Sequence, residues 1–442
     1  MAGTGYLIRS SVVGALAGLI FGFDTAVIAG TTHALVSTYG LSPAALGFTV
    51  SSALWGTVLS SMLAGIPGER IGARQALRVT ALLYIVSALG CALACNWWML
   101  IFFRFIGGLG IGASSVLGPV YIAELAPARW RGRLVGLFQI NVVVGILLAY
   151  LSNYLLALQH LGPLEWRCQL GVAAVPAAVF MVMLFAVPRS PRWLVTKNQI
   201  DEARSVLQST GADAPEEQLA EIIQSLGAER FQKSEPLFQR KYLRPILLAI
   251  SIGMFNQLAG INAILYYLND IFAQAGYSKM SGEGQAVIVG ATNLIFTLIA
   301  MAVIDRFGRK PLLLIGAAGT AICLFGVAAI FFSHSRADAL IWLLMAYIGF
   351  FALSQGSVIW VYISEIFPTR VRSRGQSLGS SSHWVMNALI SGLFPVLAKS
   401  SGGCPFAFFG LMMIVQFFVV LRFYPETRGM SLEQLQHRLG MG

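Results

Sequence analysis

Gly68-Glu69-Arg70-Ile71-Gly72-Ala73-Arg74 and Ile304-Asp305-Arg306-Phe307-Gly308-Arg309-Lys310 are the two stretches that decide the fold. Each runs acid, arginine, apolar, glycine, then basic, and each joins two apolar runs long enough to cross a bilayer as helices. Two more pairs recur in the same order. Glu124-Leu125-Ala126-Pro127-Ala128-Arg129-Trp130-Arg131 is matched by Glu365-Ile366-Phe367-Pro368-Thr369-Arg370-Val371-Arg372. Pro188-Arg189-Ser190-Pro191-Arg192 is matched by Tyr424-Pro425-Glu426-Thr427-Arg428-Gly429. Three elements repeated in order at matching places imply two homologous six-helix bundles, an arrangement built to rock about a central site.

The regions around these loops fit that reading. Only 11% of the 442 residues are charged and 57% are hydrophobic, too little charge to cover a soluble surface. Twelve spans are expected, at 10–32, 44–66, 77–95, 97–123, 134–158, 168–187, 245–271, 284–304, 311–332, 339–364, 376–399 and 403–423. The fold class is therefore an all-α membrane protein. An N-terminal bundle (1–187) and a C-terminal bundle (245–424) flank a polar linker (188–244), and a short tail (425–442) follows. Asp201–Ser209 and Glu216–Arg230 have helical apolar spacing, so the linker should carry short amphipathic helices.

Charge orients the chain. Of 30 basic residues, 25 fall in the N-terminal stub, the even-to-odd loops, the linker and the tail. Only Arg167, Lys279, Arg336 and Lys399 fall in the opposite loops, and Arg104 lies inside a span. The positive-inside rule makes the basic side cytoplasmic, with both termini there, in a cell membrane. Topology thus explains the net charge of +11, and no basic patch interleaved with aromatics suggests nucleic acid. The five cysteines sit in or near apolar runs and read as small buried thiols. No nucleophile–base pair, metal-spaced cluster or phosphate loop suggests an enzyme, a cofactor or a metal site. The repeated acids and arginines, Arg70, Glu124 and Arg131 in one half and Arg306, Glu365 and Arg372 in the other, read as a cytoplasmic gate bridging the halves. One exposed pair is worth only ~1 kcal/mol, so a network is needed.

Polar side chains at bilayer depth are expensive unless they face a cavity or a partner. Counting in from the basic markers at ~1.5 Å per residue puts Gln257, Asn293 and Asn387 about 18–20 Å deep, His383 about 14 Å and Gln139 about 9 Å. Amides donate and accept, as hydroxyls do. Trp360 and Trp384 offer flat faces on which a ring could stack. Gln257 and Asn262 do not share a face of a straight helix, but a break at Gly260 would bring both to one cavity. Asp24 and Arg104 lie at matching depths, where pairing is their low-energy arrangement.

The motifs resemble the sugar porter family of the major facilitator superfamily over about residues 8–436. The resemblance rests on Gly22-Phe23-Asp24-Thr25, Arg104-Phe105-Ile106-Gly107-Gly108, Asn256-Gln257-Leu258-Ala259-Gly260-Ile261-Asn262 with Tyr266-Tyr267, Asp305 to Lys310, Trp360 to Glu365, and Pro425-Glu426-Thr427. It implies that Gln139, Asn256, Gln257, Asn262, Asn293, Trp360, Trp384 and Asn387 occupy sugar-contact positions, with His383 beside them. Departures are Asn256 for a usual glutamine, Arg189 for a usual glutamate, Ala73 for an arginine, Ser357 for a proline and His383 for an amide. Proton-coupled members are similar at Asp24, where many uniporters carry Asn. The expected partners are a monosaccharide (hexose or pentose), a proton and the lipid bilayer, with a single chain as the functional unit. The alternatives are a facilitative uniporter, a drug–proton antiporter and a sugar sensor. The amides and tryptophans argue against the antiporter, and the short tail argues against the sensor.

Overall fold

The computed structural model describes residues 2–127, 130–210, 214–231, 235–368, 370–430, 434–435 and 438–439. Arg129 and much of the tail beyond Met430 lie outside them. Among the described residues, eleven helical stretches are long and apolar enough to cross a membrane, from Gly5–Gly30 to Cys404–Phe423. The span expected at 376–399 is a continuous helix, Arg372–Ser400, but falls outside that set. Its serines, His383 and Asn387 lower its mean hydropathy, because it spends apolar surface on polar contacts inside the protein. The linker helices are Pro191–Thr196, Ile200–Ser209 and Pro215–Phe231. Large apolar side chains such as Phe102, Val182, Ile322 and Phe418 are exposed, as a surface facing lipid requires.

Two compact units form. The first comprises Met1–Thr25, Gly56–Ile146 and Leu170–Ser234, and the second Ala26–Trp55, Leu147–Gln169 and Glu235–Gly442. The second unit therefore includes parts of spans 1, 2 and 5 from the first sequence repeat, and these are the parts farthest from the basic loops. Inside the first unit, spans 1 and 5 meet backbone to backbone. A Cβ on Gly22 would sit 1.9 Å from Val142 O, and one on Gly145 2.0 Å from Leu19 O. In lipid, small residues at such crossings provide the packing that hydrophobicity cannot. In the second unit, Tyr242, Ile246, Ile252, Ile359, Tyr362, Phe367 and Tyr424 make a dry core at the basic-loop end.

The cysteine expectation needs correction. Cys91 and Cys323 are buried, but Cys95, Cys168 and Cys404 are exposed. Cys95 follows a helix end and Cys404 opens a helix, where side chains leave the bundle interior.

Candidate functional site

Span 7 is not one rod. The helix Leu243–Leu258 stops, Gly260 turns with φ +83°, and a new helix runs Ile261–Tyr266. Only glycine adopts that turn cheaply. The Phe409 ring also occupies the space a Cβ on Gly260 would need, at 2.3 Å. The Tyr347 hydroxyl donates to Ala259 O at 2.8 Å, satisfying a carbonyl that the break frees.

The break brings amides together. Asn262 Nδ2 donates to Gln257 Oε1 at 3.1 Å, and Gln257 Nε2 donates to Asn256 Oδ1 at 3.1 Å. The same Gln257 nitrogen lies 3.2 and 3.3 Å from the two ring nitrogens of His383. Asn256 Nδ2 reaches Gln355 O at 3.3 Å. The His383 ring lies 5.1 Å from Trp360, tilted 56°, and 5.1 Å from Trp384, edge-on at 88°. Trp384 is buried, whereas Trp360 is 40% exposed and has a free face to offer. One turn beyond His383, Asn387 donates to Tyr266 Oη at 3.3 Å and accepts from Ser391 Oγ at 3.0 Å.

These contacts lie within the second unit. Asn293, on span 8 of that unit, is buried, and among the described residues no hydrogen bond joins it to the string. Gln139 is half-buried on the helix Arg131–Ala157, in the first unit. Every member of the string both donates and accepts. A hydroxylated ligand can therefore trade bonds with it one for one, with indole and imidazole rings on its flank. Sequence reasoning missed Gln355. It sits in a π-helical turn, Ala352–Gly356, with its side-chain oxygen buried and without a hydrogen-bond partner. The polar triplet Ser354-Gln355-Gly356 inside an apolar run was the signal for it, and π turns gather at functional sites.

A separate charged site occupies the first unit. Arg104 Nη1 lies 3.6 Å from Asp24 Oδ2, with both side chains buried. Among the described residues, neither Asp24 Oδ2 nor Arg104 Nε has a hydrogen-bond partner. Gly107 leaves room beside them, since a Cβ there would meet Ser87 Oγ at 2.5 Å and Asp24 Oδ2 at 3.5 Å. The pair is held by charge at the long end of contact, so it is cheap to break relative to a bidentate bridge.

At the basic-loop ends the contacts differ from those expected. Glu365 accepts from Arg309 Nη2 at 3.0 Å, not from Arg306 or Arg372. Arg306 precedes the Gly308 corner and is exposed, whereas Arg309 opens the next helix and turns inward. Arg372 donates to Phe367 O at 3.3 Å, closing its own loop. The Arg309–Glu365 pair therefore lies within the second repeat and does not bridge the halves. Arg70 and Arg131 are exposed. Glu124 shares a hydrogen bond with Ser190 and lies near Arg192, with its Oε2 unpartnered. Glu426 plays a part the sequence reading did not give it. Its carboxylate accepts the backbone N–H groups of Arg309 and Lys310, each at 3.0 Å, and of Thr427 and Arg428, each at 2.9 Å. Partial burial pushes the Glu426 carboxyl up, but the four backbone donors together hold it below the usual carboxylate range.

Known proteins resemble this chain over almost its whole length. The family described as "Sugar (and other) transporter" matches residues 10–439. The chain is 34% identical to the D-xylose-proton symporter of Escherichia coli (strain K12), covering 98% of this chain and 95% of that one. It is 36% identical to the arabinose-proton symporter of Bacillus subtilis, with the same coverage. It is 32% identical to the glucose facilitated diffusion protein of Zymomonas mobilis, covering 98% and 97%. The solved inward open conformation of the xylose transporter from E. coli superposes with a TM-score of 0.88 at 33% identity, covering 98% of this chain and all of that one. Match, coverage and geometry agree: the chain is a multi-pass membrane sugar transporter, not an enzyme, and belongs to the sugar porter family of the major facilitator superfamily.

Proposed function

We propose that this chain imports a monosaccharide, a pentose or hexose, together with a proton by alternating access across a bacterial cell membrane, with both termini cytoplasmic. The observation that carries the coupling is the buried Asp24–Arg104 pair, 3.6 Å apart and with carboxylate oxygen Oδ2 unclaimed by any hydrogen bond. A carboxylate so placed exchanges between two partners, the guanidinium and a proton. Taking the proton releases Arg104, and the free energy of that release biases one conformation over the other. The sugar is read by Gln257, Asn262, Asn256, His383 and Asn387, stacked on Trp360 and Trp384, with Asn293 as a further contact. The relatives named as xylose and arabinose proton symporters support this reading.

Facilitated diffusion is the second reading, supported by the relative named for it. The two differ in whether sugar entry acidifies the interior. In proteoliposomes carrying a proton gradient, Asp24→Asn should abolish gradient-driven sugar accumulation and leave sugar exchange intact. Unchanged accumulation would remove Asp24 from the coupling role.

A further inference from the structure

The ends of the helices opposite the basic loops carry a cluster of polar groups that neither the sugar string nor Asp24 uses. All of it lies in the second unit, yet it joins segments of both sequence repeats. Lys279 Nζ meets Glu165 Oε1 at 2.7 Å, and Gln169 Nε2 orients the same oxygen at 3.4 Å. His33 Nε2 meets Asp270 Oδ1 at 3.3 Å, and Thr32 shares a hydrogen bond with the same carboxylate. Glu283, 1% exposed, shares a hydrogen bond with Asn269 and lies close to Lys279 and Glu165. Tyr150 donates to Leu265 O at 2.8 Å, and a Cβ on Gly290 would sit 3.0 Å from its ring. Thr32, His33, Tyr150, Glu165 and Gln169 come from the first repeat. Leu265, Asn269, Asp270, Lys279, Glu283 and Gly290 come from the second.

The cluster is incompletely satisfied. Gln169 Oε1, Asn269 Oδ1, Asp270 Oδ2 and Glu283 Oε2 are buried without hydrogen-bond partners. Each unmet acceptor costs free energy in the closed arrangement, and the Glu165–Lys279 ion pair and the His33–Asp270 contact offset that cost. The arrangement is thus held by a small difference between opposing terms, as a joint that must open in every cycle requires.

We propose that these groups form a latch: Glu165–Lys279 and Asp270–His33 hold the first and second repeats together at the end opposite the basic loops, and opening that end requires both pairs to part. The inference rests on the alternating-access reading above. It names a second set of conformational residues, separate from the arginine loops.

The test uses the full chain in detergent, with Cys95, Cys168 and Cys404 changed to serine. Ser51→Cys supplies a reporter, because Ser51 is buried and its Oγ would lie 3.2 Å from a Cβ on Gly392. Glu165→Gln and Lys279→Gln should each speed maleimide labelling of that cysteine about five-fold, the factor one partly exposed ion pair supplies. The exchanged pair Glu165→Lys with Lys279→Glu should return labelling to within about two-fold of the parent, since opposite charges again face each other. Unchanged labelling in both single variants, or an exchanged pair that labels as fast as they do, overturns the latch. A second measurement does not depend on those variants folding well. Glu165→Cys with Lys279→Cys, bridged by a bismaleimide, should stop sugar exchange in proteoliposomes, and exchange that persists through the bridge overturns the proposal. Labelling rates are read without a proton gradient, so loss of the proton-coupling reading at Asp24 would leave them untouched.

Discussion

At Gly308 the chain turns its corner under a carboxylate; at Gly72, the matching corner of the first repeat, it turns under an indole. The backbone is the same in both places, φ +84° and ψ 148° at Gly72 against φ +89° and ψ 165° at Gly308. Around Gly308, Glu426 gathers the N–H groups that start the next helix, and Lys310 Nζ donates to Leu421 O at 2.9 Å. Around Gly72, the Trp193 ring covers the glycine and its Nε1–H donates to Glu69 O at 3.1 Å. Arg74 and Arg78 donate to Val187 O and Leu184 O at 2.8 and 3.0 Å. The place of Glu426 is taken by Arg189, which instead lies 3.7 Å from a half-exposed Glu202. The repeat therefore conserves the shape of the corner while the groups that hold it are exchanged. A sequence motif fixes a backbone path more strictly than it fixes an ion pair.

The corners themselves should show the largest effect. Gly308→Ala and Gly72→Ala each force a side chain into a glycine-only conformation, costing ~1–3 kcal/mol. Each also drives a methyl to within 2.8 Å of Glu426 or 2.9 Å of Trp193. Both variants should lose several degrees of heat-inactivation midpoint in detergent, and tolerance at one corner alone would break their equivalence. Next comes Glu426→Ala, which strands four N–H groups and should cost ~2 kcal/mol. Because folding holds the Glu426 carboxyl below its ordinary range, its stabilisation is complete above the unfolded-state pKa and disappears as pH falls through the folded-state value. Wild type and Glu426→Gln should therefore differ near neutrality and converge in acid.

Smaller still is Arg309→Ala. Arg309 is mostly buried against Glu365, so its loss should cost ~1–2 kcal/mol, whereas Arg306→Ala should fall within about 0.5 kcal/mol of wild type. Equal losses would return Arg306 to the role the sequence suggested. Arg189→Ala should have the least effect, below ~0.5 kcal/mol, because its ion pair is long and partly exposed. A large loss there would mean that the first corner also depends on charge.

What the sequence discloses and what it hides follow from range. The number and order of the spans are local facts, written in runs of apolar residues. The break at Gly260 is local too, and it makes Gln257 and Asn262 neighbours through five residues of chain. Asp24 and Arg104 can be matched from afar because depth in a bilayer is a ruler common to every span. For Gln139 and Asn293 that ruler gives a level in the membrane and not a direction, since depth does not say which way a helix faces. The choice of Arg309 over Arg306 depends on which side of a glycine turn a side chain leaves from, and motif matching does not register it. The packing of Ala26–Trp55 with the second repeat depends on contacts between distant parts of the chain, to which helical periodicity is blind. Among the replaced family residues, His383 keeps a place beside Gln257, while the structure offers no reason for Ser357 in place of proline.

One crossing of helices is closed by backbone alone. At Gly47 a methyl group would lie 1.9 Å from Gly392 O, so the two peptides touch with nothing between them. At that point the bare backbone leaves no room for a side chain between the helices. A side chain at Gly47 would push the two helices apart. Two glycines thus let these two helices meet without a gap at that level.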